Sequence, residues 1–408
     1  MPDIDELRRR EFDARLEVKA LRRAVFDENK TDQMDALFAA EEKLAEVNDA
    51  RAKAEKSDPR ASATLMGSGG SVDDDLLGEE TTGLEAKAWL RLAHVPTSLV
   101  HLFDAAKQPH IAFDVQNFTN QTKRLCFTTY VEGYSAHAID TVEVKKGKAA
   151  PILQLPTFFT DRLQTITELT RATVNVEVRD LDAKTELQMT MPVWLLARST
   201  APLAVLDPGS GKWTDMTPYL GAYVTPNAPS VMKFLRTVTD LHPQKRLIGY
   251  QEPKEEVETQ VRAVFDALKK HEIRYVNSVI DFTPENGSQN QRVRTPRETL
   301  DDREANCIDG TLVVASLLEG ISLNPAIVVI PGHAFVAWET WRRGNEASNE
   351  WRYLETTMIS SHSFEEACQS ADVLAAKWGE KAKTQNKPAF FKRLALRDLR
   401  AQNITPLE

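Results

Sequence analysis

Three side chains in the last third of the chain have the types and the order needed for acyl transfer by a nucleophilic thiol: Cys307, His333 and Glu355. In such chemistry a thiolate attacks a carbonyl carbon, an imidazole carries the proton between thiol and leaving group, and a carboxylate orients the imidazole and stabilises its charged form. Cys307 stands in Asn306-Cys307-Ile308-Asp309-Gly310, just ahead of an apolar stretch where Leu312, Ala315 and Leu317 or Leu318 recur at helical spacing. Gly320 closes that stretch as a natural C-terminal cap. The thiol is thus expected at the first turn of a buried helix, where unpaired N–H groups and the macrodipole favour negative charge and lower a thiol's pKa.

The elements that must bring the other two groups to it follow at once. Pro325–Ile330 is a short β-prone run, Pro331-Gly332 interrupts it, and His333-Ala334-Phe335-Val336-Ala337-Trp338-Glu339 resumes as a strand with the histidine at its start. A polar turn through Arg342-Arg343-Gly344-Asn345 leads to a further strand, Trp351 to Glu355. A hairpin places His333 and Glu355 in neighbouring strands, within hydrogen-bonding reach. Cys307 and His333 alone have plainer readings, a small core cysteine and a satisfied structural histidine, and Glu355 alone indicates nothing. Their joint order on the right elements is what carries the chemistry. His271, His362 and Cys368 are the alternatives, but Cys368 lies within a helical pattern with no strand histidine framed nearby. No Cys/His spacing of the metal-binding kind occurs, and no cofactor is expected.

Asn-Cys-Ile-Asp at a helix start, Gly-His-Ala-Phe-Val at a strand start and Leu-Glu-Thr-Thr downstream resemble the transglutaminase-like branch of papain-fold proteins, which runs in the order Cys, His, Asp. Thr295-Pro296-Arg297-Glu298-Thr299-Leu300 is also similar to the approach segment of bacterial transglutaminase-like cysteine proteinases. His333 follows Cys307 by 26 residues and Glu355 follows His333 by 22. The likeness spans residues 255–360. It implies a catalytic Cys307, a general base His333 and an orienting Glu355 acting on a protein or peptide substrate. Family members usually carry Asp at the third position; either carboxylate orients a histidine. Some bacterial members bind calcium through acids flanking the cysteine, but the flanks here are Asn306 and Ile308 with only Asp309 acidic, so no metal is expected. The Cys307 backbone N–H is one oxyanion donor, and Gln291 is the candidate for a second. The same triad serves a peptidase, a deamidase or a transglutaminase, depending on the acceptor. The reading from another class is a transglutaminase-like domain kept as a non-catalytic scaffold.

The remaining chain frames this domain. With 408 residues, Lys+Arg 51 against Asp+Glu 60, and three cysteines (Cys126, Cys307, Cys368), the composition fits two to three domains and neither a nucleic-acid surface nor a disulfide framework. Charged residues interrupt every apolar run before membrane-spanning length, and the first ten residues lack a secretory pattern, so a cytoplasmic protein is expected. The expected fold class is multidomain α+β. Residues 1–56 form a helical hairpin (Ile4, Leu7, Leu16, Leu21 and Val25, then Met34, Leu37, Phe38, Leu44 and Val47), a packed appendage or else a coiled-coil arm. Residues 57–84 form a flexible acidic linker with Asp73-Asp74-Asp75, and 85–200 an immunoglobulin-like β-sandwich with Cys126 in its core and Val174, Val176 and Val178 alternating. Residues 201–250 form a turn-rich connector and 251–408 the catalytic domain, with helices from Glu252, over 363–378 and over 389–402, and an extended segment from Ile273 to Phe282. The hairpin and the sandwich are the expected sites for a regulatory partner.

Overall fold

The computed structural model describes residues 84–183, 186–207, 212–251, 254–276, 288–343, 346–347 and 350–407, together with isolated positions between 10 and 50. The acidic linker expected over 57–84 lies outside the described residues except for Leu84, and so does most of the 1–56 hairpin. The described positions there are helical, and Lys43 Nζ meets Glu17 Oε2 at 2.8 Å. The architecture is α+β in two compact units, Pro59–Thr217 with Ile280–Arg292, and Met1–Asp58 with Pro218–Val279 and Val293–Glu408. Among the described residues no helix is long and apolar enough to cross a membrane.

The first unit is built mainly of β1 (Leu84–Leu90), β2 (His94–Val95), β3 (Ile111–Asn117), β4 (Lys123–Val131), β5 (Ala138–Val144), β6 (Ala149–Gln154), a one-turn α1 (Thr160–Leu163), β7 (Thr170–Asp180) and β8 (Glu186–Leu195). These make a three-stranded sheet, β1-β3-β6, and a five-stranded sheet, β2-β8-β7-β4-β5. Period-two alternation turns Val174, Val176 and Val178 into one apolar core, where Phe113 of the first sheet meets Phe127 of the second at 4.9 Å between ring centroids.

The segment expected to be a connector is regular structure. β9 (Thr200–Asp207) and β10 (Lys212–Asp215) pair antiparallel, and α2 (Pro229–Leu241) follows. Pro229 sits at the start of that helix, and Val231, Phe234, Leu235 and Val238 form its buried stripe at i, i+3, i+4 and i+7. In α3 (Lys254–Lys270), Val257, Val261, Val264, Phe265 and Leu268 are buried, with glutamates in the first turn and lysines in the last, complementing the helix dipole. Of the segment expected to be extended from Ile273, only β11 (Arg274–Tyr275) is a strand, and 277–287 lie outside the described residues. The chain then adds β12 (Ser288–Arg292) to β9, completing the sheet β10-β9-β12.

The second unit continues through α4 (Pro296–Asp302), β13 (Glu304–Ala305), α5 (Cys307–Gly320), β14 (Pro325–Ile330), β15 (His333–Glu339), a small ribbon of β16 (Arg342–Arg343) and β17 (Glu346–Ala347), β18 (Trp351–Leu354), α6 (Phe364–Thr384), β19 (Lys392–Ala395) and α7 (Leu396–Ala401). An antiparallel sheet, β18-β15-β14-β19, forms its centre. α5 is buried along Ile308–Leu318 and packs on β14 and β15; α6 brings Ala371, Leu374 and Trp378 against Val328, Phe335 and Ala337. Residues 392–395, expected within a helix, are instead an edge strand. Pairing with β14 overrides the helical propensity of Lys-Arg-Leu-Ala.

Candidate active site

Local chemistry at each element explains where the three groups stand. Thr295 caps α4: its hydroxyl accepts from the Glu298 N–H, Glu298 accepts from the Thr295 N–H, and Pro296 opens the helix. The Thr-Pro-x-Glu pattern is therefore a capping box that fixes the approach to α5. Asn306 repeats the device. Its Oδ1 accepts from the Asp309 N–H at 2.9 Å, and Asp309 Oδ2 accepts from the Asn306 N–H at 3.1 Å. Cys307 is thereby held as the first residue of α5, half-buried, among the N–H groups that have no carbonyl partner within the helix. Gly320, expected as the C-terminal cap, is the last helical residue instead, and Ser322 takes the left-handed conformation at φ 64°. A Cβ at Gly320 would sit 3.2 Å from Leu235 Cδ1, so the glycine serves close packing.

His333 opens β15 because Pro331-Gly332 is a two-residue hairpin turn, with proline first and a glycine at φ 73° second, joining the facing pair Ile330 and His333. β18 pairs with β15 through Val336 and Leu354, so one step further along the register puts Glu355 diagonal to His333. Diagonal neighbours lie ~7–8 Å apart, which suits the longer glutamate side chain. Glu355 lies just past the strand rather than within it, because it caps a short 3₁₀ turn, Thr356–Met358.

The three groups meet. His333 Nε2 lies 2.7 Å from Glu355 Oε2, with the two side chains 7% and 1% exposed. The imidazole also hydrogen-bonds the Cys307 side chain. Since Nε2 faces the carboxylate, Nδ1 is the nitrogen that serves the thiol. The other oxygen, Glu355 Oε1, accepts from the Thr357 N–H at 3.0 Å and the Thr357 hydroxyl at 2.6 Å. Burial by itself would lower the His333 pKa, but the facing Glu355 carboxylate and the contact with Cys307 outweigh it and raise the value from 6.5 to about 10. Burial pushes Glu355 the other way from His333 and Thr357, whose favourable contacts win and hold its carboxyl below the usual range.

Thr357 and Gly310 were not singled out by sequence reasoning. The threonine two residues after a capping acid was a visible signal. Gly310 had none: it lets the turn behind Glu355 lie against α5, since a Cβ there would come 2.9 Å from Thr356 Oγ1 and 3.0 Å from Thr356 Cβ. The Thr356 hydroxyl in turn donates to the Cys307 carbonyl at 3.3 Å, as does that of Thr311 at 2.7 Å.

The alternatives have other engagements. His271 Nε2 contacts the Leu300 carbonyl at 2.8 Å, His362 Nδ1 contacts the Ser361 hydroxyl at 2.7 Å, and burial pushes the Cys368 thiol up to about 12. Gln291, the candidate second oxyanion donor, belongs to β12, and its amide donates to the Arg292 carbonyl at 3.1 Å. The residues beside Cys307 do not fit a cation: Asn306 caps the helix through its oxygen, Ile308 has no donor, and the Asp309 carboxylate is bound by Arg294. Among the described residues no group of three or more His, Cys, Asp or Glu side chains is placed to hold a metal ion.

No protein-family model and no curated protein matches this sequence. What the site does is read from its geometry. A thiol at a helix N-terminus, bonded to a buried imidazole that is itself bonded to a carboxylate, is equipped for covalent attack on a carbonyl.

Proposed function

We propose that this chain is a cysteine-dependent acyl-transfer enzyme, a peptidase acting on a protein or peptide substrate, with the transglutaminase-like arrangement of a papain-type fold. The observation that carries the reading is the unbroken chain of hydrogen bonds from Cys307 through His333 to Glu355 at the start of a buried helix. The raised His333 pKa favours a thiolate–imidazolium pair at neutral pH. In the first half-reaction the Cys307 thiolate adds to the substrate carbonyl carbon, and the Cys307 backbone N–H faces the developing oxyanion. Collapse of the tetrahedral adduct breaks the C–N bond as His333 gives its proton to the departing amine nitrogen, leaving a thioester. In the second, His333 takes a proton from water, the hydroxide adds to the thioester, and the thiolate leaves. Glu355 keeps the ring turned toward the sulfur and balances its charge throughout.

Water is the favoured acceptor, because the Thr-Pro-x-Glu-Thr-Leu approach resembles that of bacterial transglutaminase-like cysteine proteinases. An amine acceptor uses the same groups. Incubation of wild type and Cys307→Ala with a proteome-derived peptide mixture, read by mass spectrometry, separates the cases. New peptide termini support hydrolysis; the mass gain of deamidation or joined peptides points to the other acceptors. No product with wild type beyond that of the alanine variant supports a binding module instead. We further propose that the β unit and the N-terminal segment recruit the substrate or a regulatory partner.

A further inference from the structure

A buried acid on the same helical turn as the nucleophile is a liability that the fold answers. Asp309 lies two residues after Cys307 on the first turn of α5 and is fully buried. Its carboxylate stabilises the helix start through the Asn306 N–H, yet a negative charge within one helical turn of Cys307 opposes formation of a thiolate. Arg294 closes over it from the segment before α4. The Arg294 backbone N–H donates to Asp309 Oδ1 at 2.8 Å, its Nη1 lies 3.2 Å from Oδ2, and its Nη2 reaches Glu304 Oε2 at 3.0 Å. The guanidinium side chain is only 14% exposed, so solvent does little to replace it.

We infer that Arg294 is a positioning residue for the nucleophile, acting through Asp309: its guanidinium cancels the buried carboxylate so that the N-terminal end of α5 remains able to hold the Cys307 thiolate. This rests on the reading of Cys307 as a nucleophile. Among the described residues, the charged groups on the elements around the thiol have these partners. His333 of β15 favours the thiolate. Glu355 beyond β18 is balanced by His333. Asp309 of α5 is paired with Arg294, which works against the burial that raises its carboxyl. Glu304 of β13 shares that same guanidinium, and Glu298 of α4 is bound to the Thr295 N–H and hydroxyl. Arg297, Asp301, Asp302 and Arg303 are exposed and screened. Within one turn, and at the effective dielectric of a protein site, an uncancelled carboxylate shifts a neighbouring thiol upward on the order of one pH unit.

The test is residue-resolved alkylation of Cys307 by iodoacetamide across pH, on full-length wild type, Arg294→Met, Arg294→Lys, Asp309→Asn and the double variant Arg294→Met/Asp309→Asn. The expected midpoint rises by about one unit in Arg294→Met. It should stay close to wild type in Arg294→Lys, and return toward wild type in the double variant, where both charges are gone. Asp309→Asn alone, which removes one carboxylate and leaves the guanidinium to Glu304, should move it downward; that decides the matter if Arg294→Met does not fold. A wild-type midpoint in Arg294→Met, a double variant displaced as far as the single one, or an unchanged or raised midpoint in Asp309→Asn overturns the inference. A wild-type Cys307 that titrates as an ordinary thiol overturns instead the reading of Cys307 as nucleophile, so the two failures are distinct.

Discussion

Two buried histidines of the β unit, His94 and His110, are shifted in the direction opposite to His333 of the second unit. In the β unit, burial lowers His94 to about 4, and burial lowers His110 to about 4 against an opposing contribution from the Leu92 backbone. In the second unit His333 is also buried, yet its value rises to about 10. Burial alone makes an imidazole shed its proton. Keeping the proton under burial requires a counter-charge placed within hydrogen-bond distance, and Glu355 at 2.7 Å supplies it. The β unit thus shows what a packed histidine does by default, and His333 shows a site assembled against that default.

The strongest way to break the comparison is to remove the groups that set His333 apart. Cys307→Ala should lower turnover by ~10⁴-fold or more, in line with nucleophile deletions elsewhere, with little change in thermal stability. Turnover and Tm measured together check this. Glu355→Gln should lower kcat/KM by ~10³–10⁴-fold and bring the His333 titration, followed by NMR, down into the range of the β-unit histidines. A His333 that still titrates near 10 in that variant would mean the carboxylate is not the cause.

Stability against pH separates the two units next. His333 is raised from 6.5 to about 10, so its contribution is full below pH 6.5 and is lost as pH climbs through 10. His94 and His110 are lowered from 6.5 to about 4, so the fold prefers them neutral. Their contribution is full above pH 6.5 and is lost as pH falls toward 4. The depressed Glu355 adds stability present above its ordinary range and lost as pH falls through its lowered value. Tm measured from pH 4 to 10 should fall at both ends. His110→Phe should flatten the acid limb only, whereas His333→Phe should change both limbs, because Glu355 then loses the partner that holds its carboxyl down.

Smaller changes sharpen the geometry. Gly310→Ala places a Cβ 2.9 Å from Thr356 Oγ1, and the resulting displacement of the turn behind Glu355 should cost about 1–3 kcal/mol, read from denaturant unfolding, with a larger proportional loss of kcat than of KM. Thr357→Val removes the hydroxyl at 2.6 Å from Glu355 but keeps the N–H at 3.0 Å, so a loss of about 1–2 kcal/mol in stability and a modest fall in kcat are expected.

The placement of the three candidate groups was more legible in the sequence than the elements around them, for a physical reason. Cys307 opens a helix, His333 opens a hairpin strand and Glu355 follows the strand paired with it, so capping signals, period-two runs and turn residues each place them locally. Thr295-x-x-Glu298 and Asn306-x-x-Asp309 are short-range devices of the same kind. The stripe Val231, Phe234, Leu235, Val238 after Pro229 was equally local, and the surrounding turn residues masked it. β12 was not legible, because it pairs with β9 over a long chain separation, and β19 was not, because its four residues favour helix until β14 offers an edge. Arg294 carried no local signal at all. Its role depends on a contact with Asp309 that only the tertiary fold creates.

One measurement bears most directly on the thiolate–imidazolium pair: alkylation rates of Cys307 and Cys368 followed in the same molecule across pH by peptide mass spectrometry. Cys368, buried and pushed up to about 12, is the internal reference. The expected result is a Cys307 that reacts fully well below the ~8.5 of an ordinary thiol while Cys368 stays unmodified. A Cys307 that gains reactivity only at or above ~8.5 would contradict the account.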